Sequence, residues 1–233
     1  VADNAARWAE ATVVVPAERE AQLREVARRT GVALKYVLLA AHLRVLSIVT
    51  GDADVVSGVF THGRPETDDV DSLVGMFLQF QPHRVRIDAQ TWPQIIEQVF
   101  AFEMRALPHR QCAASAATPG GELRYPALFN YTDFPAYAHV ANGSGYLAGV
   151  RWFEHTDAPF LATVGRDPAG AALEITLNAD GRLLPPAVLD DLARLYAAIL
   201  GHVAADPTGR VQDVTEEIRA CTNAFRAWQR PSN

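Results

Sequence analysis

Seven histidines, two cysteines and one acidic run are the residues of this chain whose types could do acid–base, nucleophilic or metal chemistry. His42, His62, His83, His109, His139, His155 and His202 never fall three or four residues apart. No helix can therefore present two imidazoles to one metal ion. Cys112 and Cys221 are too few for a disulfide framework and lack metal-ligand spacing. Asp68, Asp69 and Asp71 could supply paired carboxylates, but a general acid needs apolar shelter that the local sequence does not offer. They read as a solvated loop or a helix start. Ser144 sits between Gly143 and Gly145, short of the G-x-S-x-G nucleophile elbow. A phosphate loop would also need a lysine there, so a plain turn is expected. The residues alone predict no catalytic group and no metal site.

Composition narrows the class further. The formal net charge is −6 with no cluster of Lys and Arg, which removes the electrostatic footprint of a nucleic-acid binder. Hydrophobic residues make up 49% and charged residues 21%, enough for a large core in one domain or two small ones. No apolar run approaches the roughly 18 residues that span a bilayer. The first ten residues lack the basic-then-apolar plan of a signal peptide. Two cysteines and no leader predict a reducing, cytoplasmic setting. An opening Val1 in place of Met suggests a piece of something longer.

The elements that must position these groups follow from periodicity. Thr12–Val15 is a β-branched run, and Pro16 then opens an amphipathic helix with Leu23, Val26, Ala27 and Thr30 on one face. Gly31 is placed to end it in the left-handed conformation. The next helix is apolar nearly all round, with Leu34, Leu38, Ala41, Val45 and Ile48 on one stripe, so it is expected to be buried against a sheet. His42 within it reads as a core or rim residue with its hydrogen bonds satisfied. Val55–Thr61 and Phe77–Ile87 are expected strands of that sheet. Thr91 with Gln94 begins a third helix as a capping box, and Pro108 ends it. His109 just beyond complements the helix dipole or sits at a domain seam.

Residues 112–125 read as a loop. Strands are predicted at Ala127–Tyr131, Gly149–Phe153 and Phe160–Val164, with a turn at Asp167–Gly170 leading into Ala172–Asn178. There Leu173, Ile175 and Leu177 alternate with Glu174, Thr176 and Asn178, so one face meets solvent or a partner. A long helix follows Pro185 and Pro186, and Thr215 caps a short last one carrying Phe225 and Trp228. The fold class is α/β, a mixed sheet with helices mainly on one face.

Several segments together resemble condensation domains of nonribosomal peptide synthetases. Val55–Ile87 resembles that family's V-x-x-G-x-x-x-x-G-R followed by V-G-x-F-x-N-T-x-P-x-R-V. Leu107–Gln111 looks like its H-Q/R motif, Leu128–Tyr131 its F-N-Y strand, and Phe153–Leu161 its E-x-x-x-F-P-L segment. The resemblance covers about Pro16 to Val211 and implies a carboxy-terminal lobe of the chloramphenicol-acetyltransferase-like type. It divides the chain into a lead-in at 1–15, the lobe at 16–211 and a tail or linker at 212–233. It implies a tunnel shared with an amino-terminal lobe, entered by donor and acceptor thioesters on the phosphopantetheine arms of peptidyl or acyl carrier proteins. The family's His-His-x-x-x-Asp-Gly motif belongs to the other lobe, and no His-His pair exists here.

On that footing no residue of this chain is catalytic, no cofactor is its own, and the chain alone is expected to be inactive. Ser57, Gln79 and Asn130 are the candidate substrate contacts. A plain sheet position competes for the first two, and satisfaction of buried backbone groups for Asn130. Arg64 is expected to be structural, holding loop carbonyls or carboxylates at a strand end. Gln79-Phe80 replaces the family's Asn-Thr, and Cys112–Ala117 replaces its Pro-Leu/Phe-Glu continuation with small residues. The competing readings are a non-catalytic docking module for carrier or partner proteins and a self-sufficient acyltransferase using His202, which lacks the Asp-Gly that should follow. A lobe surface that normally faces a partner predicts apolar patches and self-association.

Overall fold

The computed structural model describes residues 8–65, 72–112, 125–132, 158–166 and 172–229. The predicted strand at 149–153, the turn at 167–170, the Asp68–Asp71 run, Ser144, His139 and His155 lie outside them. So do the side chains of Phe225 and Trp228.

The described elements run β1 (Trp8–Val15), α1 (Ala17–Thr30), α2 (Leu34–Thr50), β2 (Asp54–His62), β3 (Leu78–Arg86), α3 (Trp92–Ala106), a 3₁₀ turn (Leu107–His109), β4 (Leu128–Tyr131), β5 (Phe160–Arg166), β6 (Leu173–Asp180), α4 (Pro186–Ala205) and α5 (Glu216–Gln229). One mixed sheet takes the order β1-β6-β5-β4-β2-β3. The pairs β2·β4 and β4·β5 are parallel; β1·β6, β5·β6 and the β2·β3 pair are antiparallel. β2 and β3 cover the stretch expected to be paired strands, with β3 at the sheet edge. Pro82 is tolerated there, as a strand proline requires. The first strand is longer than its β-branched run, because pairing with β6 extends it back to Trp8.

Helix ends follow local chemistry. Gly31 (φ 69°) and Gly51 (φ 73°) stop α1 and α2 in the left-handed region, which glycine enters without a Cβ clash. Gln94 accepts a hydrogen bond from the Thr91 backbone N–H at 2.9 Å at the start of α3. The Thr215 hydroxyl accepts from Ile218 N–H at 3.2 Å and caps α5.

Strand side chains alternate, so each strand has two fates. Val13, Val15, Val55, Val59, Val85, Phe129, Ala162, Val164, Ile175 and Leu177 all point to one face. There they join the buried residues of α1, α2, α3, α4 and α5 in a single core. No described helix covers the second face. On it lie Thr12, Glu174, Thr176 and Asn178 at the β1–β6 side, and a small apolar cluster at the β2–β5 side. The helices thus pack on one face, as the patterning of β6 predicts. No single helix among the described residues is long and apolar enough to cross a membrane.

Gly58 allows the second-face cluster to sit against β2. A Cβ there would come within 2.5 Å of Leu128 Cδ2 and 2.8 Å of Tyr125 Cγ. Gly58→Ala is therefore expected to cost about 1–3 kcal/mol through overpacking. Urea unfolding checks this as a lowered midpoint at unchanged slope.

Candidate functional site

Buried polar groups gather at two places on the helix side of the sheet, and a mostly apolar cluster lies on the other face. Under α2, His42 is fully buried with both ring nitrogens engaged. Nδ1 lies 2.6 Å from the Tyr196 hydroxyl on α4, and Nε2 lies 2.9 Å from Ser57 Oγ on β2. Ser57 Oγ also donates to the Ala127 carbonyl at 3.3 Å. Ser57 has one proton, and that bond uses it. The network then assigns the imidazole proton to Nε2, leaving Nδ1 to accept from Tyr196 O–H. Phe160 stacks parallel to the ring (2°, centroids 6.5 Å apart), and Phe129 lies 5.1 Å away.

Ser57 and His42 have the spacing of a nucleophile and its base, but not the chemistry. Both are closed off from solvent, and the Ser57 proton points to a carbonyl and not to the imidazole. Desolvation pushes His42 down to about 3, too weak a base near neutral pH. Tyr196 is pushed up by the same burial. This relay is structural.

A second buried group sits where β3 meets α2 and α3. Lys35 pairs with both oxygens of Glu103, at 2.7 and 2.8 Å. His83 is 1% exposed, with Nε2 3.8 Å from Glu103 and Phe102 at 4.8 Å. Burial pushes His83 down to about 4, against the opposing pull of the Glu103 carboxylate. Tyr36 is raised to about 12, first by desolvation and then by Glu103.

On the other face Phe60, Tyr125, Leu128 and Leu161 are buried together, with Phe80 and Ala158 packed against them. Phe60 and Phe80 meet edge to face at 4.5 Å and 85°. Asn130 and its neighbour Thr163 lie beside this cluster on the same face, by the register of β4 and β5.

The expected contacts separate accordingly. Ser57 is corrected: it faces the helices, is 0% exposed, and its hydroxyl is consumed by His42 and Ala127. Gln79 pairs with Thr61, which places it on the helix-side face with Ser57 and opposite to Phe80; it is half-buried beside Gly63. Of the three, only Asn130 lies on the face that no described helix covers. Arg64 donates to the Leu73 carbonyl at 3.1 Å and lies 4.7 Å from the centre of the Phe77 ring. His109 is exposed at the end of the 3₁₀ turn. His202 is 8% exposed in α4 and accepts from the Trp92 indole N–H at 3.3 Å, so one of its nitrogens is committed within the helix layer. Sequence reasoning missed that Tyr196 pairs with His42, since the two lie 154 positions apart.

The Condensation domain family model matches residues 2–122, just over half of the 233 residues. The chain belongs to the condensation domain family. It is 34% identical over 222 residues to the AMB antimetabolite synthetase AmbE of Pseudomonas aeruginosa, covering 91% of this chain and 10% of that protein. It is 26% identical over 217 residues to a linear gramicidin synthase of Brevibacillus parabrevis, covering 89% of this chain and 4% of that protein. The fold is similar to the condensation domain of the Monacolin K polyketide synthase MokA, with TM-score 0.72 and 16% identity over 88% of this chain and 48% of that one. A four-domain nonribosomal peptide synthetase solved with AMP and glycine gives TM-score 0.75 at 16% identity, over 88% of this chain and 17% of that one. This condensation-family chain thus spans a tenth or less of AmbE and the gramicidin synthase, and just under half of the solved condensation domain.

The two depressed histidines give a signed pH dependence. Native values of about 3 and 4 lie below the unfolded value of 6.5, so only the unfolded chain binds these protons on acidification. Stability is full above pH 6.5 and falls below it, by up to about 1.4 kcal/mol per pH unit for each histidine. The His83 contribution runs down to about 4 and the His42 contribution to about 3. His42→Gln should lower stability at pH 7, where it breaks the relay. Between pH 7 and pH 5 its deficit against the parent should shrink by about 2 kcal/mol, read from urea midpoints.

Proposed function

We propose that this chain is the carboxy-terminal lobe of a nonribosomal peptide synthetase condensation domain. It forms one wall of the tunnel in which a carrier-bound acyl or peptidyl donor is transferred to a carrier-bound amine. The observation that carries this reading is the asymmetry of the sheet. One face is sealed by helices, and the other carries an aromatic cluster, Asn130 and Thr163 without a described helix over it. This chain covers 48% of a solved condensation domain, and in this reading the remaining half of such a domain meets that face.

In the reaction the acceptor amine attacks the donor thioester carbonyl. A C–N bond forms, the C–S bond breaks, and the donor carrier leaves as a thiol. The amine proton needs a base, and His42 and His83 are buried and weakened far below that task. In this reading the base is the paired-histidine motif that the family resemblance implies for the amino-terminal lobe. This lobe contributes position and exclusion of water. Asn130 is the polar contact offered to substrate, and Arg64 holds the segment before β3. The lobe spans 16–211, with 212–233 leading toward the next domain. Partners are the amino-terminal lobe and the phosphopantetheine-bearing carriers. Unpaired Cys112 and Cys221 suit a reducing cytoplasm.

An acyl-transfer assay with carrier-bound donor and acceptor tests this directly. The chain alone should give no turnover. Adding the amino-terminal lobe should restore it, and changing the second motif histidine of that lobe to alanine should lower the rate by about 10²–10⁴. Turnover by the isolated chain would overturn the divided site. Carrier binding without turnover in the joined lobes would make it a docking module.

A further inference from the structure

In the helix layer, the last turns of α1, the first turns of α3 and the loop after α4 enclose a cleft of about 160 Å³. Val26, Pro93 and Pro207 supply its apolar lining, and Arg29, Thr30, Glu97 and Thr208 its polar lining. The walls are tied to one another. Trp92 N–H donates to the Gly209 carbonyl at 3.0 Å, Gly209 N–H to the Asp206 carbonyl at 3.1 Å, and Val211 N–H to the Gln90 carbonyl at 2.9 Å. The loop is thereby fastened to the start of α3. Val26 is 3% exposed and belongs to the core, and the two prolines have little freedom in φ. A ligand entering such a cleft meets a small ordering cost.

The charges in it are uncommitted. Arg29 and Glu97 are exposed, and neither forms an ion pair or side-chain hydrogen bond with any described residue. Elsewhere on α1 such groups are paired: Arg24 holds Glu20, and Arg28 holds both oxygens of Glu25 at 2.6 and 2.7 Å. Arg29 also lies in the field of Glu25, but the oxygens of that carboxylate are already taken. The Thr30 hydroxyl donates to the Val26 and Ala27 carbonyls, so towards a ligand it can only accept. A cation and an anion lining one small cleft complement a molecule that carries both charges close together. Drug-sized ligands occupy roughly 300–1,000 Å³, so this volume selects a much smaller one.

We propose that the cleft binds a small free α-amino acid, its carboxylate on the Arg29 guanidinium and its ammonium group on the Glu97 carboxylate. The planar guanidinium fork matches a carboxylate in both geometry and charge. Val26, Pro93 and Pro207 leave an apolar surface for a short side chain, so glycine and alanine are the favoured ligands. The site lies on the opposite side of the sheet from the proposed tunnel wall and does not depend on that reading.

Calorimetric titration of the whole chain with alanine tests this. Binding is expected with a Kd of about 1 mM or tighter. Acetate and methylammonium, which carry one charge each, should bind at least about tenfold more weakly. Arg29→Gln and Glu97→Gln should each raise the Kd for alanine by about tenfold or more, the loss of one charge-assisted hydrogen bond. Both positions are exposed, so Tm without ligand should stay at the parent value and show that the variants fold. No heat of binding up to roughly 10 mM alanine, ten times that Kd, would overturn the proposal. Unchanged affinity in both variants would overturn it too, by placing the ligand elsewhere. A double-mutant cycle in which the two residues stabilise each other without ligand would make them an ion pair across the cleft and count against it.

Discussion

Everything in this fold hangs on keeping one imidazole neutral. His42 sits in the middle of the most buried helix, where a charge has no counter-ion and no water. It is accommodated because Tyr196, Ser57 and Ala127 give each polar atom one partner and each proton one acceptor. The bonds tie the consecutive α2 and β2 to α4 and to the approach to β4, which lie 154 and 70 positions away. Removing any member leaves another buried polar group unpaired, at about 1–3 kcal/mol. The relay thereby fixes how the central helix lies on the sheet and where β4 enters it. Asn130 and the second-face cluster inherit their positions from that entry.

The same geometry explains why Ser57 and His42 do not act as a nucleophile and its base. Side chains alternate along β2, so Ser57 and Phe60 cannot share a face. Ser57 is spent on structure, while the face left without helices carries aromatics and small polar groups. Such a face suits a wall that shapes and dries a reaction space. The chain spans 48% of a solved condensation domain.

Much of this was legible in the sequence because it is local. The amphipathic face of α1, the stops at Gly31 and Gly51, the Gln94 cap and the alternation of β6 all depend on neighbours within a few residues. The family resemblance was legible too, since motif order survives where identity is low. What was hidden is non-local. Val55–Phe60 reads as a buried strand, but only pairing with β3 and β4 and the overlying α2 decide which side Ser57 takes. Gln79 and Phe80 appear together as one departure from the family pattern, yet the pleat sends them to opposite faces. His42 could be read as a satisfied core residue without its partner Tyr196, which lies 154 positions away. The first strand looked shorter than it is because Trp8–Ala11 lacks β-branched residues and gains its form from β6.

On the proposed reading, the sheet face that no described helix covers meets the other half of the condensation domain. Thr163, half-buried near the middle of that face, and Gln22, exposed on α1, report the two sides. With the exposed Cys112 changed to serine, Thr163→Cys and Gln22→Cys can each be labelled by a bulky maleimide, with and without the amino-terminal lobe. The account predicts that the lobe slows labelling at 163 by tenfold or more (roughly the loss expected on burying a thiol) and leaves position 22 unchanged. Equal labelling at 163 in both states, or protection at 22 instead, would contradict it.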